Sequence, residues 1–326
     1  MKKTHTIFIS GHKGMVGNAI LKQFIKKKNV KLITISKNKL NLLNQNKVNK
    51  FFKLNNIETV IFCSAKVGGV YANMTNQNDF LYENSIMSLN TIFAAFNNGV
   101  KNFIFFGSSC MYPKNINKKI TEKDLLSSSL EKTNEGYALA KITGFKMCEY
   151  IRQKYKRNYF TIIPTNLYGE NDNFNLKNSH VVPAVIKKIH DAKVNSFSEV
   201  KFWGTGKAVR DFMLVDDLAK FTKYIIEKSK DKKLKNILNK SNGINYGTGR
   251  PTSIKSLILK VKKIVGYKGQ ILFDNNYPDG MMRKVLASDH DSYLKNKIKI
   301  KITPLEKGLK KTYSWYLKNL QNLKNK

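Results

Sequence analysis

Carboxylates are scarce in this chain: 22 Asp and Glu stand against 59 Lys and Arg, giving a formal net charge of +37 over 326 residues. So large a surplus invites a nucleic-acid reading, but its distribution argues against one. The lysines are spread through nearly every segment, often beside asparagine, and neither an aromatic-interleaved basic stripe nor a nucleic-acid motif is present. Joint enrichment in lysine and asparagine is the imprint of AT-rich coding on surface positions. The excess charge then serves solubility and the attraction of anionic ligands. Cysteine is rare as well: Cys63, Cys110 and Cys148 are too few and too scattered for a disulfide framework or a zinc site, so no metal is expected. Cys63 and Cys148 read as buried thiols, while Cys110 follows a strand end. No apolar run reaches the roughly eighteen residues of a membrane span, and the N-terminus runs directly into a strand-like stretch rather than a signal peptide. A cytoplasmic protein without membrane contact is expected. No internal repeat is evident, and the length suffices for one large or two modest domains.

What is present begins at residue 6. Thr6-Ile7-Phe8-Ile9-Ser10 is short, β-branched and apolar, and Gly11-His12-Lys13-Gly14-Met15-Val16-Gly17 follows at once. Ala19, Ile20, Phe24 and Ile25 then recur at helical spacing. Strand, glycine turn and helix in that order form a dinucleotide site: glycines permit a tight turn and close approach to a pyrophosphate, and free N–H groups at the helix start hold the anion. The second strand, read at 32–35, ends in Ser36-Lys37 where NAD-binding chains carry an acid for the ribose 2′-hydroxyl. A carboxylate would repel a 2′-phosphate, whereas Lys37 and Lys13 could neutralise it. The expected cofactor is therefore NADP.

Further strands are expected at 59–64, 102–107 and 159–164, alternating with helices at 78–97 and 137–155. That alternation predicts an α/β fold with a Rossmann-type doubly wound parallel sheet. Beyond Pro164 the pattern is less regular: an irregular segment at 167–210, a turn at 245–249, and helices near 253–265 and 304–320. Thr303-Pro304-Leu305-Glu306 reads as a helix start, with a threonine cap and proline in the first turn. Residues 228–242 read as a polar loop with a short helical piece, and those after Leu320 as frayed. A smaller α/β substrate-binding lobe is expected beside the nucleotide-binding core. The division is 1–166 plus about 212–250 for the cofactor domain, and about 167–211 plus 251–326 for the second.

The chemistry is carried by Tyr137 and Lys141, four residues apart and so on one helix face. An ammonium one turn away favours the phenolate and lowers a phenol of ordinary pKa about 10 towards a useful range. Alone, such a pair occurs by chance in lysine-rich chains. Here it follows Ser108-Ser109-Cys110, at the end of a strand where a cofactor-binding sheet exposes reactive groups. Either serine hydroxyl could contact a substrate oxygen.

Taken together, the glycine loop, Ser108 and Tyr137-Ala138-Leu139-Ala140-Lys141 resemble the extended short-chain dehydrogenase/reductase family. More closely, that loop, Ala65-Lys66-Val67-Gly68-Gly69, Gly107-Ser108-Ser109-Cys110-Met111-Tyr112-Pro113, Pro164-Thr165-Asn166-Leu167-Tyr168-Gly169, Asp172-Asn173-Phe174, Asn178-Ser179-His180-Val181 and Pro278-Asp279-Gly280 are similar to the ordered signature blocks of its GDP-L-fucose synthase branch. The resemblance implies NADPH-dependent 3,5-epimerisation and 4-reduction of GDP-4-keto-6-deoxy-D-mannose by a homodimer. It implies that Cys110 and His180 exchange protons at C3 and C5, which a 4-keto group acidifies, and that Tyr137 protonates O4 while Ser108 hydrogen-bonds it. It adds Phe106, Gly107, Ser108, Ser109, Lys141, Pro164, Thr165, Asn166, Leu167 and His180 to the cofactor site. At the GDP end it implies Lys188, Trp203, Arg210, Asp279 and Lys284: cations for a diphosphate, a carboxylate for hydrogen bonds, an indole for packing.

The chain departs from that pattern in places. Gly136 replaces the usual proline, Lys13 and Lys188 replace arginines, and Met281-Met282 with Ala287 alter a similar stretch. Lysine lacks the bidentate phosphate geometry of arginine. A colitose-type sibling that epimerises C5 alone would use the same groups. A 4,6-dehydratase needs an acid where Cys110 stands, and a non-catalytic dinucleotide-binding protein would leave Tyr137, Lys141 and Cys110 as bystanders.

Overall fold

The computed structural model describes residues 4–116, 118–229, 231, 232, 234, 243–277, 279–287 and 300–324. Its centre is a sheet whose apolar strands are buried on both faces. β1 (His5–Ser10), β3 (Thr59–Phe62) and β4 (Asn102–Phe106) are near-continuous apolar runs, as parallel strands covered on two sides must be. Their side chains alternate between two cores. Ile7, Ile9, Ile104 and Phe106 face the layer of α1 (Met15–Phe24) and α7 (Val215–Glu227), and Phe8, Phe103 and Phe105 face the other. That opposite layer contains α2 (Gln45–Leu54), α4 (Gln77–Asn97) and α5 (Glu135–Tyr155). With β2 (Val30–Ile33), β5 (Asn158–Pro164) and β9 (Ile244–Tyr246), the sheet has the order β2-β1-β3-β4-β5-β9 and every pairing is parallel. The order reverses between β1 and β3, so the crevice at the carboxyl ends of those strands is where such folds bind ligands.

The segment read as irregular is ordered in regular elements: β6 (Asn166–Tyr168), α6 (Val181–Val194), β7 (Glu199–Trp203) and β8 (Val209–Leu214). A third apolar cluster lies here, around Ile186, Ile189, Phe212 and Leu257. It joins those elements to β10 (Pro251–Ser253), α8 (Ile254–Val265), β11 (Gln270–Asp274) and α9 (Leu305–Lys318). The two-residue β12 (Arg283–Lys284) pairs with β8. The short helix α3 (Val70–Thr75) links β3 to α4.

Several expectations need correction. The second strand lies at Val30–Ile33, two residues earlier than read, because partly exposed edge positions blur its apolar pattern. The first two residues of the turn read at 245–249 belong to strand β9, Ile244–Tyr246. Thr303 is not the cap of α9; Pro304 holds that position, and the Thr303 N–H and hydroxyl donate to the buried Asp217 at 2.7 and 3.1 Å. Residues 321–324, read as frayed, lie in a short helix, α10 (Leu320–Lys324). Cys63 is only partly buried, unlike Cys148. Most of 228–242 falls outside the described residues.

Candidate active site

The glycine loop lies at the crevice. Gly11 has φ +64, and a Cβ there would meet the backbone of Cys63 and Ser64 at 2.9 Å; one at Gly17 would lie 2.3 Å from the Gly11 carbonyl oxygen. Helix and strand therefore approach more closely than any side chain allows. α1 begins at Met15 without a side-chain cap, which leaves the first-turn N–H groups of Met15, Val16 and Gly17 available to an anion. The buried His12 Nδ1 has no partner, and burial followed by the charge of Lys13 holds this imidazole below its usual value. A cradle of free amides, an orphaned imidazole nitrogen and the exposed ammoniums of Lys13 and Lys37 fit a phosphorylated dinucleotide. Nearby, Thr165 and Asn166 donate to the Asp211 carbonyl at 2.9 and 3.0 Å, which fixes the chain between Pro164 and Leu167.

At the end of β4 the chain turns sharply. A Cβ at Gly107 would lie 2.8 Å from the Met111 sulfur, and Ser108 Oγ accepts the Cys110 N–H at 3.2 Å, capping a single 3-10 turn at Ser109–Met111. Ser109 is buried in that turn and Ser108 partly exposed. Two donors reach the Cys110 sulfur: the Asn134 amide at 3.3 Å and the Lys284 ammonium at 3.9 Å. Arg210, opposite Lys284 across the β8–β12 pairing, is lowered by burial and raised by the nearby Cys110 and Asp279. Tyr137 lies close enough to the Cys110 sulfur that the sulfur contributes to raising the phenol.

Tyr137 projects from the first turn of α5, its ring edge-on to Phe80 at 6.3 Å. Burial, and secondarily the Cys110 sulfur, push its phenol well above the ordinary range. This corrects the expectation that Lys141 lowers it. Lys141 is on the same face, its ammonium 5.7 Å from the tyrosine ring centroid, but it donates to the Phe106 carbonyl at 2.9 Å. Burial lowers the amine to about 8 against a small opposing effect of Cys63. The phenol is accordingly held neutral, the state a proton donor requires.

The remaining residues fall in two further places. His180 caps α6 with its ring 47% exposed, its Nδ1 3.9 Å from the buried Asp172 carboxylate. Among the described residues no hydrogen bond joins it to Cys110. Trp203 is 60% exposed and stacks on Tyr277 at 4.5 Å, so it is not core. Lys188 lies 6.0 Å from that indole and is lowered by burial. Asp279 accepts from the Thr205 N–H and hydroxyl at 2.8 and 2.6 Å. Lys284, expected at the GDP end, stands beside the Cys110 sulfur. Sequence reasoning missed Asn134 and Tyr277. Asn134 occupies the N-cap of α5 yet makes no cap bond, because its amide is turned to the sulfur. An exposed aromatic two residues before Asp279 was the available signal for Tyr277.

Crevice, glycine loop, phenol and lysine define a class of nucleotide-dependent oxidoreductases and isomerases. Residues 7–239 match the NAD dependent epimerase/dehydratase family, and the chain belongs to it. It is 42% identical to the GDP-L-fucose synthase of Escherichia coli K12 over 96% of this chain and 97% of that protein. It is 40% identical to the GDP-L-colitose synthase of Yersinia pseudotuberculosis, over 97% of this chain and 99% of that one. Its fold matches the GDP-mannoheptose C4 reductase of Campylobacter jejuni with NADP bound, with a TM-score of 0.84 and 34% identity over 97% of this chain and 99% of that one.

Proposed function

We propose that the protein converts GDP-4-keto-6-deoxy-D-mannose to GDP-L-fucose, inverting C3 and C5 and reducing C4 with NADPH. The observation that carries this reading is the Cys110 sulfur, which receives donors from Asn134 and Lys284 beside the neutral Tyr137 phenol. A reductase alone has no need of a thiol there. At C3 and at C5 in turn, Cys110 removes the acidified proton and His180 returns one to the opposite face. NADPH supplies the hydride to C4. Tyr137 gives its proton to O4, Ser108 hydrogen-bonds that oxygen, and Lys141 holds the nicotinamide ribose. Residues 1–166 with about 212–250 carry the cofactor, and about 167–211 with 251–326 carry the GDP-sugar. Lys188, Trp203, Arg210 and Asp279 serve its nucleotide end.

Support for the GDP-sugar class comes from the three relatives, whose names all specify GDP-linked sugars. The Yersinia relative favours a second reading, in which the substrate is the 3-deoxy keto sugar of colitose synthesis. Incubation with NADPH and each GDP-keto sugar, followed by NMR of the product, separates the two. NADPH consumption with neither would refute both.

A homodimer is part of the proposal. α4 and α5 pack together, and their outer surfaces expose Tyr82, Phe93, Leu139 and Tyr150, a stripe suited to self-association about a two-fold axis.

A further inference from the structure

We propose that residues 69–77, which contain no reacting group, form a bracket positioning both proton donors: His180 through Gly69 and Tyr137 through Gln77. The inference rests on the roles just given to those two residues.

Ala65-Lys66-Val67-Gly68-Gly69 takes no part in the chemistry, yet it is fixed from several sides. The buried Asn73 donates to the carbonyls of Gly68 and Gly69 at 2.8 and 2.9 Å. The buried Asn84 accepts the Lys66 N–H at 2.8 Å and donates to its carbonyl at 3.0 Å. The Lys66 ammonium sits between Asp79 and Glu83 at 2.9 and 2.6 Å. A loop held this firmly to α3 and α4 can act as a reference surface. On its free side the Gly69 N–H donates to the Asn178 carbonyl at 3.0 Å, and a Cβ on Gly69 would lie 2.6 Å from the Ser179 carbonyl oxygen. Gly69 has φ −68, which any residue adopts, so the glycine is required by this approach and not by its backbone conformation. Asn178 and Ser179 immediately precede His180.

The other end of the bracket is Gln77, the first residue of α4. Its Oε1 accepts the Gly136 N–H at 3.0 Å and its Nε2 donates to the Lys132 carbonyl at 2.9 Å. A Cβ on Gly136 would lie 2.5 Å from the Gln77 carbonyl oxygen. Gly136, which stands where the resembling enzymes carry proline, thus lets two helix starts touch, and the next residue is Tyr137. Phe80, three positions beyond Gln77, completes the contact against the tyrosine ring. A displacement of about 1 Å in a catalytic group can lower a rate about 100-fold, so the two ends should act on different steps.

The test uses the full-length enzyme with NADPH and GDP-4-keto-6-deoxymannose, with products resolved by NMR. Gly69→Ala should raise the share of C4-reduced product that leaves without inversion by about tenfold or more. Gln77→Ala should instead accumulate inverted but unreduced keto sugar. Gln77→Glu, which keeps the acceptor for the Gly136 N–H, should restore most of the reduction. NADPH affinity should stay within about twofold in all three. His180→Gln and Tyr137→Phe are the references. If these two fail to separate inversion from reduction, the proposed function is wrong. If they do separate, and Gly69→Ala and Gln77→Ala slow both steps alike or neither, the bracket is overturned. Should Gly69→Ala not fold, the Gly69 amide in the native enzyme decides: protection from hydrogen exchange supports the latch, and exchange at the rate of an exposed amide overturns it.

Discussion

At the scale of single residues, the proposed function divides the labour between a phenol and a thiol. Tyr137→Phe should lower NADPH oxidation by about 100- to 10,000-fold while deuterium still washes in at C3 and C5. Cys110→Ser should do the reverse, and unchanged wash-in in that variant would remove the thiol from the mechanism. Lys141 links activity to stability. Its amine is held at about 8 instead of 10.5, so between those values the unfolded chain binds a proton that the folded chain has released. Raising the pH through that window therefore stabilises the fold, and below about 8 the cost of burying the charge is fully present. Lys141→Met should gain on the order of 3 kcal/mol at neutral pH, lose that advantage as the pH climbs towards 10.5, and abolish reduction. Denaturant melts of the two proteins across that range give the comparison. The tight turn at Gly11 and Gly17 and the shared helix face of Tyr137 and Lys141 could be read from the chain because both are local. The turn of Lys284 and Asn134 towards one sulfur could not, since it depends on how β12 and the start of α5 meet in space.

Among elements, the buried strands were legible and the edges were not. β1, β3 and β4 announce themselves as short, near-continuous apolar runs, whereas β2, partly exposed, is read two residues late. β9 has three residues, too few to show a period, and glycines just after it gave it the look of a turn. Thr303 illustrates a tertiary override. Its signature suits a helix cap, but Asp217, 0% exposed in α7, takes both its N–H and its hydroxyl. That carboxylate ties the start of α9 to α7. Asp217→Ala should cost about 1–2 kcal/mol, because it leaves the part-buried Thr303 N–H without its partner. Asp217→Asn should cost less, and equal melting temperatures for Asp217→Ala and the parent protein would show the tie to be dispensable.

For the molecule as a whole, charge and shape point in different directions. A surplus of +37 keeps copies apart, yet the stripe on α4 and α5 is apolar. If the proposed homodimer forms through that stripe, Tyr82→Glu combined with Tyr150→Glu should halve the mass seen by sedimentation, and an unchanged mass would overturn that interface. No helix among the described residues is long and apolar enough to cross a membrane. The chain has two indoles, and they stand in contrasting surroundings: Trp203 lies open against Tyr277, and Trp315 stacks on Phe174. A purine sliding against the first would quench its emission and leave the second as an internal standard. With Trp203 at the nucleotide end, as proposed, occupancy there would be followed by light on the unlabelled protein, separately from the signal of the nicotinamide.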